Sequence, residues 1–202
     1  MKKNNILILS AGRRVELVQD FQAEAAKFSD GTKILCTDLN PKMSSACQAA
    51  DGAFAVPRIS APDYIDSIFE LAQAQNIGLI IPTIDTELLK LADARARFAV
   101  AGIQIVVADS ALIRQCRDKR DTIALFTRHG IASPENYAPD NITFPCFAKP
   151  YDGSRGIGAQ ALNNPEALTD ELKHDPKMMF CQLIDIQHTF KEFTVDMYYN
   201  HE

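Results

Sequence analysis

No stretch of this sequence approaches the roughly 18 consecutive apolar residues that a membrane-spanning helix needs, which excludes a helical membrane protein. The run Ile6-Leu7-Ile8-Leu9 follows Met1-Lys2-Lys3-Asn4-Asn5 and soon meets Arg13 and Arg14; it is too short for the apolar core of a signal peptide. Positive charge is in deficit: 21 Lys and Arg face 26 Asp and Glu, a net charge of −5. With a pI of about 5.4, the chain lacks the basic field of a general nucleic-acid binder. The five cysteines (Cys36, Cys47, Cys116, Cys146, Cys181) are odd in number and include no C-x-x-C pair. That excludes a disulfide framework or a zinc ribbon, and scattered cysteines without a signal peptide fit the reduced cytoplasm. Cys36, Cys146 and Cys181 stand in apolar runs and read as core filling. His129, His174, His188 and His201 show no metal-ligand spacing. Internal repeats, heptads and low-complexity tracts are also missing.

What is there is an ordinary globular balance: 202 residues, 47% apolar and 23% charged. Such a chain buries enough apolar surface to offset its conformational entropy, in one large domain or two small ones. Residues 5–9 read as a short buried strand and residues 13–28 as a helix, with Val18, Phe21, Ala25 and Phe28 on one face. Strands follow at 33–37, 54–56, 79–81 and 103–107, and helices at 44–50, 63–76 and 86–100, the last with Asp85 as a plausible N-cap. The alternation predicts an α/β fold, a parallel sheet with helices on both faces, and continuous apolar strands fit burial on both sides. From residue 118 the pattern changes. A helix at 118–129, a proline-rich passage at 132–144, a strand at 146–149, a glycine-rich loop at 151–158, a strand at 159–162, a helix at 165–173, and strands at 178–184 and 190–199 describe a small α+β unit. The expected domains are residues 1–115 and 116–202.

Five constellations carry chemistry. Ser10-Ala11-Gly12-Arg13-Arg14 joins a strand end to a helix start, where free N–H groups and two guanidinium forks suit a carboxylate or phosphate; the bland reading is a turn with solvated arginines. A dinucleotide fingerprint needs G-x-G-x-x-G, and only Gly12 is present, so an NAD(P)-binding protein is a distant reading. Asp38 follows the second strand and either holds a ligand or makes an Asx-turn before Asn40-Pro41. Asp85 and Glu87, in Pro82-Thr83-Ile84-Asp85-Thr86-Glu87, either line the same crevice or serve the helix start. The densest signal is Lys149-Pro150-Tyr151-Asp152-Gly153-Ser154-Arg155-Gly156-Ile157-Gly158. Glycines let backbone N–H groups approach phosphate oxygens, and Lys149 and Arg155 supply countercharge; no Gly-Lys-Ser/Thr follows, so this is not a P-loop. Finally, Gln182-Leu183-Ile184-Asp185 and Lys191-Glu192-Phe193-Thr194-Val195-Asp196 could frame a purine and its ribose.

Together these motifs resemble the ATP-grasp superfamily, most closely proteins like the carbamoyl-phosphate synthase large subunit. Asp118-Lys119-Arg120 and Gly130-Ile131-Ala132-Ser133-Pro134 look like the family's linking helix and turn. Residues 145–158 look like its phosphate loop, and residues 180–196 like its adenine strand and E-[FY]-T-V-D strand. Residues 5–110 resemble the Rossmann-like preATP-grasp domain, and the second unit the small α+β lid. The resemblance implies an ATP cofactor, with Lys119 and Lys149 reaching phosphates, Gly153, Ser154, Arg155 and Gly156 closing over them, the Ile184 backbone at the adenine and Glu192 at the ribose. Gln182 stands where the family usually has Glu; its carbonyl still accepts from the adenine amino group, without the charge. Gly12, Arg13, Arg14, Asp38, Asp85 and Glu87 are the implied second-substrate residues. The implied chemistry is ATP-dependent ligation of a small-molecule carboxylate to an amine-type nucleophile through an acylphosphate, with Mg²⁺ bridging phosphates. The family's D…E-x-N metal carboxylates have no match before Glu202, so these 202 residues alone are expected to lack ligase activity. A homodimer or a partner chain completing the ATP-grasp domain, and a non-catalytic nucleotide-sensing module, are the other readings; no nucleic acid or membrane partner is expected.

Overall fold

The computed structural model describes residues 4–28, 31–153, 156–186 and 189–195. Ser154, Arg155, His188, Asp196 and His201 lie outside the described residues. The chain divides into two compact units, Met1–Arg114 and Gln115–Glu202.

The first unit is built from β1 (Asn5–Ile8), α1 (Val15–Ala25), β2 (Ile34–Asp38), α2 (Ser45–Ala49), β3 (Gly52–Ala55), α3 (Tyr64–Ala74), β4 (Ile77–Ile81), α4 (Asp85–Val100), β5 (Gln104–Ile105) and α5 (Ser110–Arg117), the last running on into the second unit. The sheet order is β3-β2-β1-β4-β5 and every pairing is parallel. Two cores explain the continuous apolar strands. Leu7, Leu35 and Ile80 pack with Tyr64, Ile68, Leu91 and Phe98 of α3 and α4. Ile8, Ile34 and Cys36 pack with Val18, Ala46 and Cys47 of α1 and α2. A strand feeding helices on both faces has no solvent side, so polar alternation is lost. Phe69 and Phe98 meet edge to face at 5.0 Å, and Arg97 lies over the Phe69 ring at 4.2 Å while pairing with Asp66.

The sequence overlooks α5, and the strand expected at 103–107 pairs only over Gln104–Ile105. Asp85 is the first helical residue of α4, and the N-cap position is Ile84. The cap comes instead from Glu87, whose Oε1 accepts the Ile84 N–H at 3.3 Å and the Thr83 N–H at 2.9 Å. An acid three residues into a helix reaches back to the cap backbone in this way.

The second unit contains α6 (Lys119–Arg128), β6 (Asn136–Tyr137), β7 (Cys146–Pro150), β8 (Gln160–Leu162), α7 (Asp170–His174) and β9 (Met178–Gln182). Its sheet is antiparallel with order β6-β9-β7-β8. Cys146, Ala148, Leu162 and Phe180 form its core, covered by Ile142, Phe144, Leu168 and Leu172. The helix expected at 165–173 is two pieces: a 3₁₀ turn at Pro165–Ala167 capped by Asn164, and α7 capped by Thr169. The strand expected at 190–199 is not formed over 190–195, where Phe190, Phe193 and Val195 are exposed, and the remainder lies outside the described residues. The physical reason is topological. β9 already has β6 on one side and β7 on the other, so a strand following it finds no open edge beside it.

Candidate functional site

The carboxyl ends of β1 to β4 enclose a crevice of about 730 Å³, within the range of small-molecule pockets. It lies where the strand order reverses between β1 and β4, the general ligand position of open α/β sheets. Ser10, Gly12 and Arg14 come from the loop after β1, Asp38 from the end of β2 and Leu39 from the loop after it, and Pro57, Arg58 and Ser60 from the loop after β3. Tyr64 opens α3, and Ile84, Thr86 and Lys90 belong to the start of α4.

A fully buried carboxylate, Glu87, holds this region together. Its Oε2 accepts from the Ser10 hydroxyl at 3.0 Å and the Tyr64 hydroxyl at 2.8 Å, while Oε1 takes the two backbone N–H groups already described. The donors are neutral, so the charge is balanced by oriented dipoles rather than by a cation. Burial, and then the adjacent Glu87 charge, push the Tyr64 phenol well above its ordinary pKa. Thr83 ties β4 to β1 by donating to the carbonyls of Leu9 at 2.8 Å and Ser10 at 2.9 Å. Ser10 and Gly12 both adopt positive φ, +49° and +56°, conformations that a glycine adopts without strain and that Ser10 holds through the Glu87 bond.

Of the second-substrate residues read from the sequence, Gly12, Arg14 and Asp38 meet on the crevice wall. Asp38 makes the Asx-turn, accepting from Asn40 N at 3.0 Å, and also fixes the facing loop through Gly12 N at 3.2 Å. Arg14 donates to the carbonyls of Thr83 at 3.0 Å and Ser10 at 3.4 Å. Arg13 and Asp85 are exposed and off the wall, and Glu87 sits beneath it. Sequence reading quoted Ser10 only as part of the turn after the first strand, and missed Tyr64, Arg58 and Lys90. Arg58 had a signal, since it follows β3 as Arg13 and Arg14 follow β1; Lys90 had none, because only the turn of α4 brings it to the wall.

In the second unit, a gap of about 230 Å³ brings together Lys119 of α6, Phe147 and Lys149 of β7, and Gly153, Gly156 and Ile157 of the following loop. Lys149 shares a sheet face with Phe147, its ammonium 5.9 Å from that ring and in contact with the Cys181 thiol. Burial still pushes the Cys181 thiol up despite that lysine. Gly156 and Gly158 have φ of +70° and +74°, and a Cβ on Gly153 or Gly158 would meet the Pro150 ring at 3.0 or 3.1 Å. Conformation favours glycine at 156, space at 153, and both at 158. Lys119 is bound differently from expectation: its ammonium donates to the carbonyls of Gly153 at 2.5 Å and of Pro150 and Tyr151 at 3.2 Å. Asp118 caps α6 and pairs with Arg120, which holds its carboxyl below the usual range, and Arg120 stacks on Tyr151 at 3.7 Å.

Gln182 is opposite Cys146 in the ladder, so strand alternation puts it on the face away from Lys149; its Oε1 accepts from Glu135 N at 3.4 Å. The Ile184 carbonyl accepts from Ile186 N at 3.0 Å, and Glu192 is exposed in a segment without strand pairing. Cys36, Cys47, Cys146 and Cys181 are buried, with thiols pushed up by burial, Cys36 to about 12, as core filling requires.

Several solved structures share this fold. An L-amino acid ligase from Bacillus licheniformis aligns over 92% of the chain with a TM-score of 0.67 at 14% identity. A biotin carboxylase from Campylobacter jejuni, solved as a βγ-ATP complex, aligns over 90% with a TM-score of 0.65 at 18% identity. The biotin carboxylase domain of a Hydrogenobacter thermophilus 2-oxoglutarate carboxylase, solved with MgADP, ADP and bicarbonate, gives 0.64 at 17% over 90%. The chain spans 44–45% of the length of these structures. None of the curated protein sequences matches significantly. Residues 6–106, half of the chain, match the PylC-like N-terminal domain. The chain therefore belongs to the PylC-like family through this preATP-grasp domain, and with it to the ATP-grasp superfamily.

Proposed function

We propose that the chain is the nucleotide- and substrate-binding N-terminal portion of an ATP-dependent ligase joining a carboxylate to an amine-type nucleophile. The observation that carries this reading is the convergence of Lys119, Lys149, Gly153 and Gly156, from three separate segments, on one gap in the antiparallel unit. The gap suits phosphate: lysines supply charge, Gly156 holds a positive φ of +70°, and Gly153 packs too close to the Pro150 ring for a side chain, which keeps the loop backbone bare beside the gap. Lys149 is the residue assigned to the phosphates, with Gly156 offering a backbone N–H group, while the Gly153 N–H turns back onto the Pro150 carbonyl at 3.3 Å. Lys119 holds the base of the loop through three carbonyls, and so sets the position of those N–H groups. When bound, ATP supplies a phosphoryl group that turns a carboxylate into an acylphosphate, a reaction catalysed chiefly by positioning and charge.

The crevice of the parallel unit is the proposed site of a small-molecule substrate, with Gly12, Arg14 and Asp38 on its wall. Among the described residues no group of three or more His, Cys, Asp and Glu side chains could hold a metal. Among them, too, no helix is long and apolar enough to cross a membrane. The test is calorimetric titration of the chain with ATP. Saturable binding is expected, and Lys149→Ala should weaken it about tenfold or more, the scale of one charge-assisted contact. Absence of ATP binding, or binding indifferent to Lys149→Ala, would overturn the reading.

A further inference from the structure

The crevice of the parallel unit has one cationic corner that the ligase reading does not use. The loop after β3 turns back on itself, Ala61 N–H donating to the Arg58 carbonyl at 2.8 Å. Lys90, arriving from α4, donates to the Ala61 carbonyl at 3.4 Å. This long contact is its single hydrogen bond among the described residues. Arg58 is exposed on the crevice wall, and its guanidinium has no ion-pair or hydrogen-bond partner among the described residues. Arg95 pairs with Asp109, Arg97 with Asp66 and Arg114 with Asp93, whereas Arg14, on the same crevice wall, donates only to carbonyls. In a chain of net charge −5, the crevice thus gathers cations that no acid among the described residues pairs with, and Arg58 and Lys90 stand together at one corner of it.

The acids nearby do not neutralise that corner. Asp38 spends both oxygens on the N–H groups of Gly12 and Asn40. Glu87 lies under the floor, saturated by hydroxyls and backbone N–H groups. Arg14 adds a third cation across the crevice, and Val56, Ile59 and Ile84 supply apolar wall. We propose that Arg58 and Lys90, with the Ser60 hydroxyl, hold an anionic group, a carboxylate or a phosphate, of the non-nucleotide substrate, whose apolar part lies against Val56, Ile59 and Ile84. This rests on the reading of the crevice as the substrate site. A guanidinium fork beside an ammonium matches the flat or tetrahedral oxygens of such a group, and the anion replaces the acid that Arg58 lacks.

The test uses the whole ¹⁵N-labelled chain and three separate titrations: inorganic phosphate, glutarate and ATP. Phosphate or glutarate should shift the backbone amides at 58–61 with a saturable curve. Arg58→Gln should weaken that binding about tenfold or more, Lys90→Met should weaken it as well, and Arg95→Gln should leave it unchanged. Response to phosphate alone assigns a phosphate group, and response to glutarate alone assigns a carboxylate. If neither shifts residues 58–61, or if Arg58→Gln binds as wild type does, the inference falls. Should Lys90→Met fail to fold, Arg58→Gln and Arg58→Lys decide it, since Arg58 is exposed. ATP keeps the two readings apart. Anion binding at 58–61 without ATP binding leaves this site standing and removes the ligase reading; the reverse result removes only the site.

Discussion

In the parallel unit a carboxylate is buried among neutral hydrogen-bond donors, and in the antiparallel unit a half-buried lysine donates to three backbone carbonyls. Glu87 is fully buried and takes hydrogen bonds from two hydroxyls and two backbone N–H groups. Lys119 is half-buried and gives hydrogen bonds to three backbone carbonyls. Both charges are solvated by protein dipoles, yet the consequences differ. Around Glu87 water is absent, so every donor depends on that one side chain, and the loops after β1 and β4 are fixed with it. Lys119 is only half-buried, so water has access to the loop and its three bonds position it without locking it. The first arrangement holds a crevice wall rigid, and the second leaves a loop free to adjust.

The sharpest way to break this contrast is Glu87→Ala. Several buried donors lose their acceptor at a cost of about 1–3 kcal/mol each, so a loss of about 3–5 kcal/mol is expected in urea unfolding; a loss under about 1 kcal/mol would show that the network is not rigid. Tyr64→Phe removes one donor from the same carboxylate and should cost about 1–2 kcal/mol. It should also change the pH profile. The Tyr64 phenol is raised in the folded chain, so its contribution is fully present below the ordinary tyrosine pKa of about 10 and is lost as pH rises above it. Unfolding titrations above about pH 10 should therefore fall more steeply for wild type than for Tyr64→Phe.

In the antiparallel unit the expected effects are smaller. Lys119→Met should cost about 1–2 kcal/mol, because water can replace the ammonium at the three carbonyls; a loss matching Glu87→Ala would erase the distinction between the two units. Asp118→Ala removes the cap of α6, worth about 1 kcal/mol. Its carboxyl is lowered by Arg120, so its contribution is present above the ordinary aspartate range and is lost as pH falls through the lowered pKa. Acid unfolding of wild type and Asp118→Asn should thus differ near neutrality and converge at low pH.

Local chemistry wrote much of this protein into its sequence. The strand–helix alternation, the unbroken apolar strands, the two-unit pattern change near residue 118 and the glycine loop after Lys149 all rest on short-range preferences, because periodicity and glycine conformation act within a few residues. Lys149, Gly153 and Gly156 were legible for the same reason, as were Gly12, Arg14 and Asp38 at strand ends. What failed depended on distance. Residues 190–199 carry a strand-like pattern, but β6 and β7 occupy both sides of β9. Gln182 reads as an adenine acceptor, and only strand register shows that it lies on the sheet face away from Lys149. Asp85 reads as a cap, but Glu87 reaches back from the next turn. Arg58, Ser60, Tyr64 and Lys90 are separated in sequence from Gly12 and Asp38 by up to 78 positions. Sequence by itself determined the strand–helix alternation of the first unit and the glycine-rich loop after Lys149, since those follow from each residue's own backbone and burial preferences. Tertiary structure alone decided which charges face a cavity and which are spent on dipoles, since that depends on groups that only folding brings within hydrogen-bonding distance.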